Sequence, residues 1–352
     1  MTDLLEATAE LVDIASPSLA EGPFADLVEG WLREVPWLTV DRHGDNVVAR
    51  TELGRDQRLV LAGHLDTVPA NDNDVARIEG DTLWGLGSAD MKGGLAVFLE
   101  LARTVEEPAC DVTYVFYAAE EIAAEHSGLL QLFRERPELV EADAAILGEP
   151  TDGWIEAGCQ GTARVRLSLT GERAHTARPW KGRNAIHRLG PILEAIAGYE
   201  AREPTIDGCT YREAIQAVFV EGGVAGNVVP DAAVLTVNLR IAPDRTVDEA
   251  VDAFRSMVAP WVEDDDGFEV VDRSEPAPPS LTHPLLAPLV EAGTPVRAKL
   301  GWTDVARFAE HGIPAINLGP GDSSVAHMRD EHVTRDSIER VHAALHALLT
   351  DP

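Results

Sequence analysis

The chain has 352 residues, 45% hydrophobic and 25% charged, an ordinary globular composition long enough for two domains. Its 29 Lys+Arg against 60 Asp+Glu give a formal net charge of −31, which argues against nucleic acid and acidic membrane surfaces as partners. Cys110, Cys159 and Cys209, irregularly spaced, make no disulfide framework. With no basic-then-apolar leader pattern and no apolar run near the ~20 residues of a membrane span, a cytoplasmic protein is the expectation.

The first forty residues read as two helices. Leu4, Leu5, Leu11 and Val12 recur at helical spacing up to Ser16-Pro17, and a second run spans about Pro23 to Val35. NVVAR and RLVLAGHLD, rich in β-branched residues, read as strands. GLAVFLELARTV reads as a helix, DVTYVFYAAEE as a strand, SGLLQLFRERPELV as a helix and ADAAILGEP as a strand. This alternation predicts an α/β sheet with a substantial parallel component. From about Thr162 the order becomes β-α-β-β-α-β, the ferredoxin-like arrangement, ending at the proline-rich EPAPPS. WTDVARFAEHG, IPAINLGPG and SIERVHAALHALL then resume the first pattern. The expected organisation is a discontinuous first domain over 1–160 and 274–352, with a smaller α+β domain, 161–273, inserted.

Five strings place polar residues at predicted strand ends. GHLDTVP sets His64 and Asp66 two apart on one face, an imidazole beside a carboxylate able to orient it. SADMKGG puts Asp90 at a strand-to-helix turn, as helix cap or ligand, before a Gly93-Gly94 pair that admits close backbone approach. YAAEE presents Glu120 and Glu121, on opposite sides if strand geometry continues, and as a solvated edge or a site. ILGEP adds Glu149, and VAHMRDE adds His327 after a glycine-rich loop. Histidines and carboxylates without cysteine suit a hydrolytic zinc site, and one shared carboxylate would hold two ions roughly 3.5–4 Å apart. A further glutamate, not a ligand, is needed to move the proton from water to the leaving amine.

The ordered set GHLDTVP, SADMKGG, AAEE, LGEP, RAHTARPWKGRNAIH, GNVVP, VNLR and AHMRDE resembles the di-zinc deacylase and exopeptidase family over nearly the whole chain. GEPTDGWIEAGCQG, IDGCTYREA and GWTDVARF are most similar to its actinobacterial desuccinylase branch. The resemblance implies a zinc-peptidase-like mixed sheet flanked by helices, with the inserted domain as lid and dimerisation module. It implies two Zn²⁺ per subunit, with Co²⁺ a possible substitute. His64, Asp90 and Glu149 would hold one, Asp90, Glu121 and His327 the other, and a cis peptide would follow Asp90. Glu120 would be the general acid/base and Asp66 would orient His64. His175 would reach a partner subunit's site to stabilise the oxyanion, with Asn227 presented from the same direction, so a homodimer is expected. The implied reaction is hydrolysis of an anionic N-acyl amino acid, N-succinyl-LL-diaminopimelate, with Arg240, Arg178 and Thr303 as substrate contacts. The alternatives are another N-acyl amino acid deacylase, a metallocarboxypeptidase, or a non-catalytic binding relative. Two departures from the common pattern are Leu86, where many relatives have Arg, and IAAEHSGL after the paired glutamates.

Overall fold

The computed structural model describes residues 3–350; positions 1, 2, 351 and 352, which the expected domain bounds include, lie outside the described residues. The chain divides into two compact units, Met1–Ala157 with Ser280–Arg297 and Arg307–Pro352, and Gly158–Pro279 with Ala298–Ala306. The second unit thus takes Ala298–Ala306 as well as the inserted stretch. Local bonds explain why: the Gln160 N–H donates to the Lys299 carbonyl (3.3 Å) and the Cys159 thiol to that of Thr303 (3.7 Å).

The first unit is built on an eight-stranded sheet. Its order is Thr39–His43, Asn46–Arg50, Asp111–Tyr117, Arg58–His64, Ala144–Leu147, Ala315–Asn317, Ile155–Ala157 and Val296–Ala298. Four central strands, from Asp111–Tyr117 to Ala315–Asn317, run parallel, and Asn46–Arg50 and Ile155–Ala157 flank them antiparallel. Asp111–Tyr117 and Ala144–Leu147 are buried along their whole length, as strands covered on both faces must be. The helices Leu4–Val12, Gly22–Arg33, Gly93–Thr104 and Arg335–Thr350 contribute Leu5, Phe24, Phe98 and Leu345 to one continuous core with these strands. Gly93 and Gly94 do provide close approach, because a Cβ on Gly94 would lie 2.4 Å from the Gly148 carbonyl oxygen. One strand is shorter than expected. It stops at Tyr117, and Ala119 turns to φ +57°, so Glu120 and Glu121 lie in a turn rather than on opposite faces of a strand. Three short strands, Arg77–Glu79, Thr82–Trp84 and His332–Thr334, form a separate small sheet.

The second unit is a four-stranded antiparallel sheet in the order Ala214–Gly222, Ala232–Ile241, Gly161–Thr170, Gly267–Ser274, with two helices, Ala185–Ala197 and Val247–Val258. This is the ferredoxin-like arrangement. Gly161–Thr170 alternates strictly between buried and less buried residues, so one face of the sheet carries the core of Val165, Leu167, Leu235, Val237, Leu189 and Phe254. The edge strand Ala214–Gly222 leaves Val218, Phe219 and Val220 exposed, Phe219 at 65%.

Candidate active site

The four parallel strands end on one side of the sheet, and the candidate ligands of the first unit leave from those ends. His64 is the last residue of its strand, Glu149 follows Leu147 by two, and Glu120 and Glu121 follow Tyr117. His327 lies in the loop after Ala315–Asn317, and Asp90 in the tight segment Ser88–Lys92, where the Asp90–Met91 peptide is cis. Carboxyl ends of parallel strands are where open α/β sheets place ligands.

Asp90 is the centre of the cluster. Its Oδ1 is 3.1 Å from His64 Nε2 and its Oδ2 is 3.5 Å from His327 Nε2, while His327 Nε2 is also 2.9 Å from Glu121 Oε1. Among the described residues, His64, Asp90 and Glu121 each offer an atom within 4.8 Å of the others'. Glu149 is buried at the same sheet edge but stands outside that trio. His64 Nδ1 donates to the Asp66 carbonyl (2.9 Å), which fixes the ring with its Nε2 directed at the cluster. The Asp66 carboxylate, 3.5 Å from Nδ1, mainly accepts from the Glu120 N–H (3.0 Å), the Glu121 N–H (3.1 Å) and the Ser18 hydroxyl (2.7 Å). It is His64's orienter chiefly through its backbone.

Electrostatics match this geometry. Burial favours neutral His64, yet its bonds with Asp66 and Asp90 outweigh burial and hold it well above the usual imidazole range. For Asp66, burial is likewise overcome, by His64, the Glu120 amide and Ser18, and the carboxyl sits at about 2. The hydrogen bond with Asp90 is the main cause that lifts His327 to about 9, with Glu121 adding to it, and burial raises Glu121. Carboxylates and imidazoles gathered so closely, with no thiolate among them, are a donor set suited to a divalent ion of borderline hardness.

In the second unit, His175 Nδ1 accepts the Ala177 N–H (3.0 Å), so Nε2 carries the proton and faces outward as a donor on an exposed loop. Asn227 joins it: the Thr176 N–H donates to the Asn227 carbonyl (3.0 Å), and His175 bridges to Val228. Exposed Arg178 belongs to the same loop. Arg240 and Thr303 do not. Thr170 pairs with Ala232 and Thr162 with Arg240, so Arg240 lies at the far end of the sheet, roughly 26 Å along the strand at ~3.3 Å per residue. Thr303, tied to Cys159, belongs to that far end too.

Around the Asp90 cluster and the Glu120 turn, sequence reasoning missed the buried charges of Glu331, Lys92 and Glu21. Glu331, 1% exposed, accepts the N–H groups of Ala89 and Asp90 (3.0 Å each), and burial raises it to about 7. Lys92 is pulled down to about 8 by burial, donates to the Ile14 carbonyl (2.6 Å) and lies over the Phe24 ring. The third is Glu21, which accepts the Ala119 N–H. Glu331 lay inside the string that pointed to His327, and its charge in a stretch that must pack under the site was the available signal.

An α/β sheet carrying a His–carboxylate cluster at its strand ends, with a ferredoxin-like insertion, defines a metallohydrolase-type architecture. The Peptidase family M20/M25/M40 model matches residues 60–351, and the chain belongs to that family. It is 54% identical over 337 residues, 94% of this chain and 93% of the other, to the protein assigned as succinyl-diaminopimelate desuccinylase DapE in Mycobacterium tuberculosis. It is 45% identical over 358 residues, 99% of this chain and 96% of the other, to the succinyl-diaminopimelate desuccinylase of Corynebacterium glutamicum. Among solved structures, aminopeptidase PepT of Bacillus cereus shares the fold, with a TM-score of 0.78 at 21% identity over 98% of this chain and 97% of that one.

Proposed function

We propose that this chain hydrolyses the amide bond of N-succinyl-LL-2,6-diaminopimelate to succinate and LL-2,6-diaminopimelate. The observation that carries the reading is the near full-length likeness to two proteins bearing that name, over a chain that keeps every polar residue expected at its strand ends. Amide hydrolysis needs an activated water, a proton shuttle and a stabilised oxyanion. His64, Asp90, Glu121, Glu149 and His327 would hold two divalent ions, zinc as the expected metal and cobalt as a substitute. Bound there, such ions supply Lewis acidity that polarises the scissile carbonyl and acidifies the attacking water.

The chain's own residues do the rest. Glu120, on a turn clamped by Asp66, takes the proton from the attacking water and returns it to the departing amine. His175 donates from Nε2 to the developing oxyanion, and Asn227 acts from the same direction. Arg240, Arg178 and Thr303 bind the succinyl and terminal carboxylates, for which guanidinium forks are the natural partners.

The opposite ends of the ferredoxin-like sheet favour a homodimer. A small substrate cannot meet Arg240 and His175 of one chain across roughly 26 Å of strand. A site using both would draw them from two copies, joined through the exposed edge strand Ala214–Gly222. Mixing Glu120→Gln and His175→Ala chains by co-expression is then expected to restore about a quarter of wild-type activity in a two-fold dimer, from two nearly inactive parents. No restoration in purified mixed dimers would place His175 in its own subunit's site.

No helix among the described residues is long and apolar enough to cross a membrane, and the three free cysteines are buried. A cytoplasmic location fits such unpaired thiols. The substrate reading is tested on the zinc-loaded protein with N-succinyl-LL-diaminopimelate, N-acetylornithine and simple dipeptides. The expected kcat/KM for the first exceeds the others by at least about 10²-fold, because guanidinium groups desolvated around a bound substrate penalise substrates without the matching carboxylates. A preference for N-acetylornithine or a dipeptide would overturn it.

A further inference from the structure

Beyond Tyr117 the chain leaves the sheet, and four successive N–H groups lose their ladder partners. Each finds a side-chain acceptor instead. Ala118 donates to Asn46 Oδ1 (3.0 Å), Ala119 to Glu21 Oε1 (3.0 Å), Glu120 to Asp66 Oδ1 (3.0 Å) and Glu121 to Asp66 Oδ2 (3.1 Å). Ala119 holds φ +57°, a conformation costly for a residue with a Cβ, so the surroundings must impose this turn.

Two of the groups imposing it come from the loop between the first two helices. Glu21 immediately precedes the helix Gly22–Arg33 and makes no side-chain cap to it. Its side chain is turned to Ala119, 98 residues further along, and is 1% exposed. Burial raises the Glu21 carboxyl, and the backbone N–H groups of Glu21 and Leu19, together with that of Ala119, offset part of that cost. Phe24, Ala25, Val28 and Leu32 root the following helix in the core, so the carboxylate stands on a rigid element. Ser18 completes the arrangement through its hydroxyl on Asp66 Oδ2 (2.7 Å). The loop is pinned by the Ser18 N–H on the Thr67 carbonyl (3.2 Å) and the Thr67 N–H on that of Ser16 (2.9 Å). Ser16, Ser18 and Glu21 precede position 60, where the family match begins.

We infer that Glu21, assisted by Ser18, is a positioning residue that fixes the turn presenting Glu120 to the reacting amide. The inference rests on the reading of Glu120 as acid/base. It is tested with Glu21→Ala, Glu21→Gln and Ser18→Ala in the full-length, metal-loaded protein, with Glu120→Gln alongside. Each variant is examined for kcat, KM, metal content, melting temperature and amide exchange over 118–121.

Loss of an anchor displaces the base by a fraction of an ångström to an ångström, so Glu21→Ala should lower kcat about 10–100-fold. KM should stay within about twofold, metal content should be unchanged, and exchange over 118–121 should accelerate about tenfold. Glu21→Gln, whose Oε1 still accepts the Ala119 N–H, should recover kcat to within about threefold, and Ser18→Ala should fall in between. A Glu21→Ala kcat within twofold of wild type, a loss confined to KM, a loss matched by unfolding, or a glutamine no better than alanine would overturn the inference. If Glu120→Gln also remained active, the acid/base reading itself would fall. The exchange over 118–121 would still report, separately, whether Glu21 anchors the turn.

Discussion

Glu120→Gln is expected to lower kcat by about 10²–10⁴-fold, the range for removal of a positioned general acid/base. KM should change little, because the substituted amide keeps the size of the side chain, and the Asp66 hydrogen bond to residue 120 is made by its backbone N–H. Metal content should be unchanged, since the carboxylate of the pair proposed as a ligand is that of Glu121, whose atoms converge with those of His64 and Asp90. A loss in kcat with intact metal content and KM is the signature of an interaction made in the transition state. Steady-state kinetics with metal analysis of the same preparation check it. Turnover within a few-fold of wild type would assign the proton transfers to another group.

Asp90→Ala should be more damaging, and in a different way. The two carboxylate oxygens of Asp90 face two different histidines, Oδ1 toward His64 and Oδ2 toward His327. Removing that carboxylate separates the two halves of the cluster and leaves His64 and His327 each with one charge partner fewer. Both proposed metal positions should weaken together, so that less than one ion per chain survives dialysis. Activity should fall about 10³-fold or more, as expected when several kcal/mol of charge stabilisation is lost. The readout is elemental analysis together with the melting temperature, since an ion that binds the folded state raises it by mass action. Retention of two ions per chain would show that Asp90 does not link the sites. His64→Ala is the informative comparison, because it should empty one position while Glu121 and His327 remain to hold the other.

Much of this architecture was legible because periodicity survives in the sequence. RLVLAGH and DVTYVFY are unbroken apolar runs bounded by polar residues, and they became the central parallel strands. The spacing of Ile186, Leu189, Leu193 and Ile196 points to one helical face; Leu189 and Ile196 are buried in Ala185–Ala197, but with Ile192 beside them, while Ile186 is exposed and Leu193 only partly buried. His64, Glu121 and Glu149 were legible for a related reason, since each ends or closely follows such a run, whereas Asp90 and His327 lie in glycine-containing loops. The turn at Ala119 was hidden because nothing in YAAEE announces it: no glycine marks the positive φ, and the constraint comes from Glu21 and Asp66, remote in sequence. Glu21, Lys92 and Glu331 were hidden because composition places charged side chains at the surface. The segment Ala298–Ala306 was assigned by proline-rich punctuation, whereas its place in the second unit depends on hydrogen bonds to Cys159 and Gln160. The sheet of Thr82–Trp84 and His332–Thr334 pairs three-residue strands 250 positions apart, too short and too distant for any local pattern to reveal.

The position of Ala315–Asn317 has a consequence for how the molecule is made. This strand lies between Ala144–Leu147 and Ile155–Ala157, neighbours in sequence that it holds apart in the sheet. On a ribosome adding about 5–20 residues per second, some 160 residues separate synthesis of those strands from synthesis of the one between them, a wait on the order of ten to thirty seconds. Throughout that interval the nascent first unit has a slot with unpaired backbone on both sides, while the four-stranded ferredoxin-like sheet emerges whole, lacking only the later segment Ala298–Ala306 of its unit. His327 follows the inserted strand, so the cluster around Asp90 gains its second histidine among the last events of translation. Metal capture by the full donor set is therefore post-translational or nearly so, and the vulnerable species for aggregation is the chain arrested before Ala315.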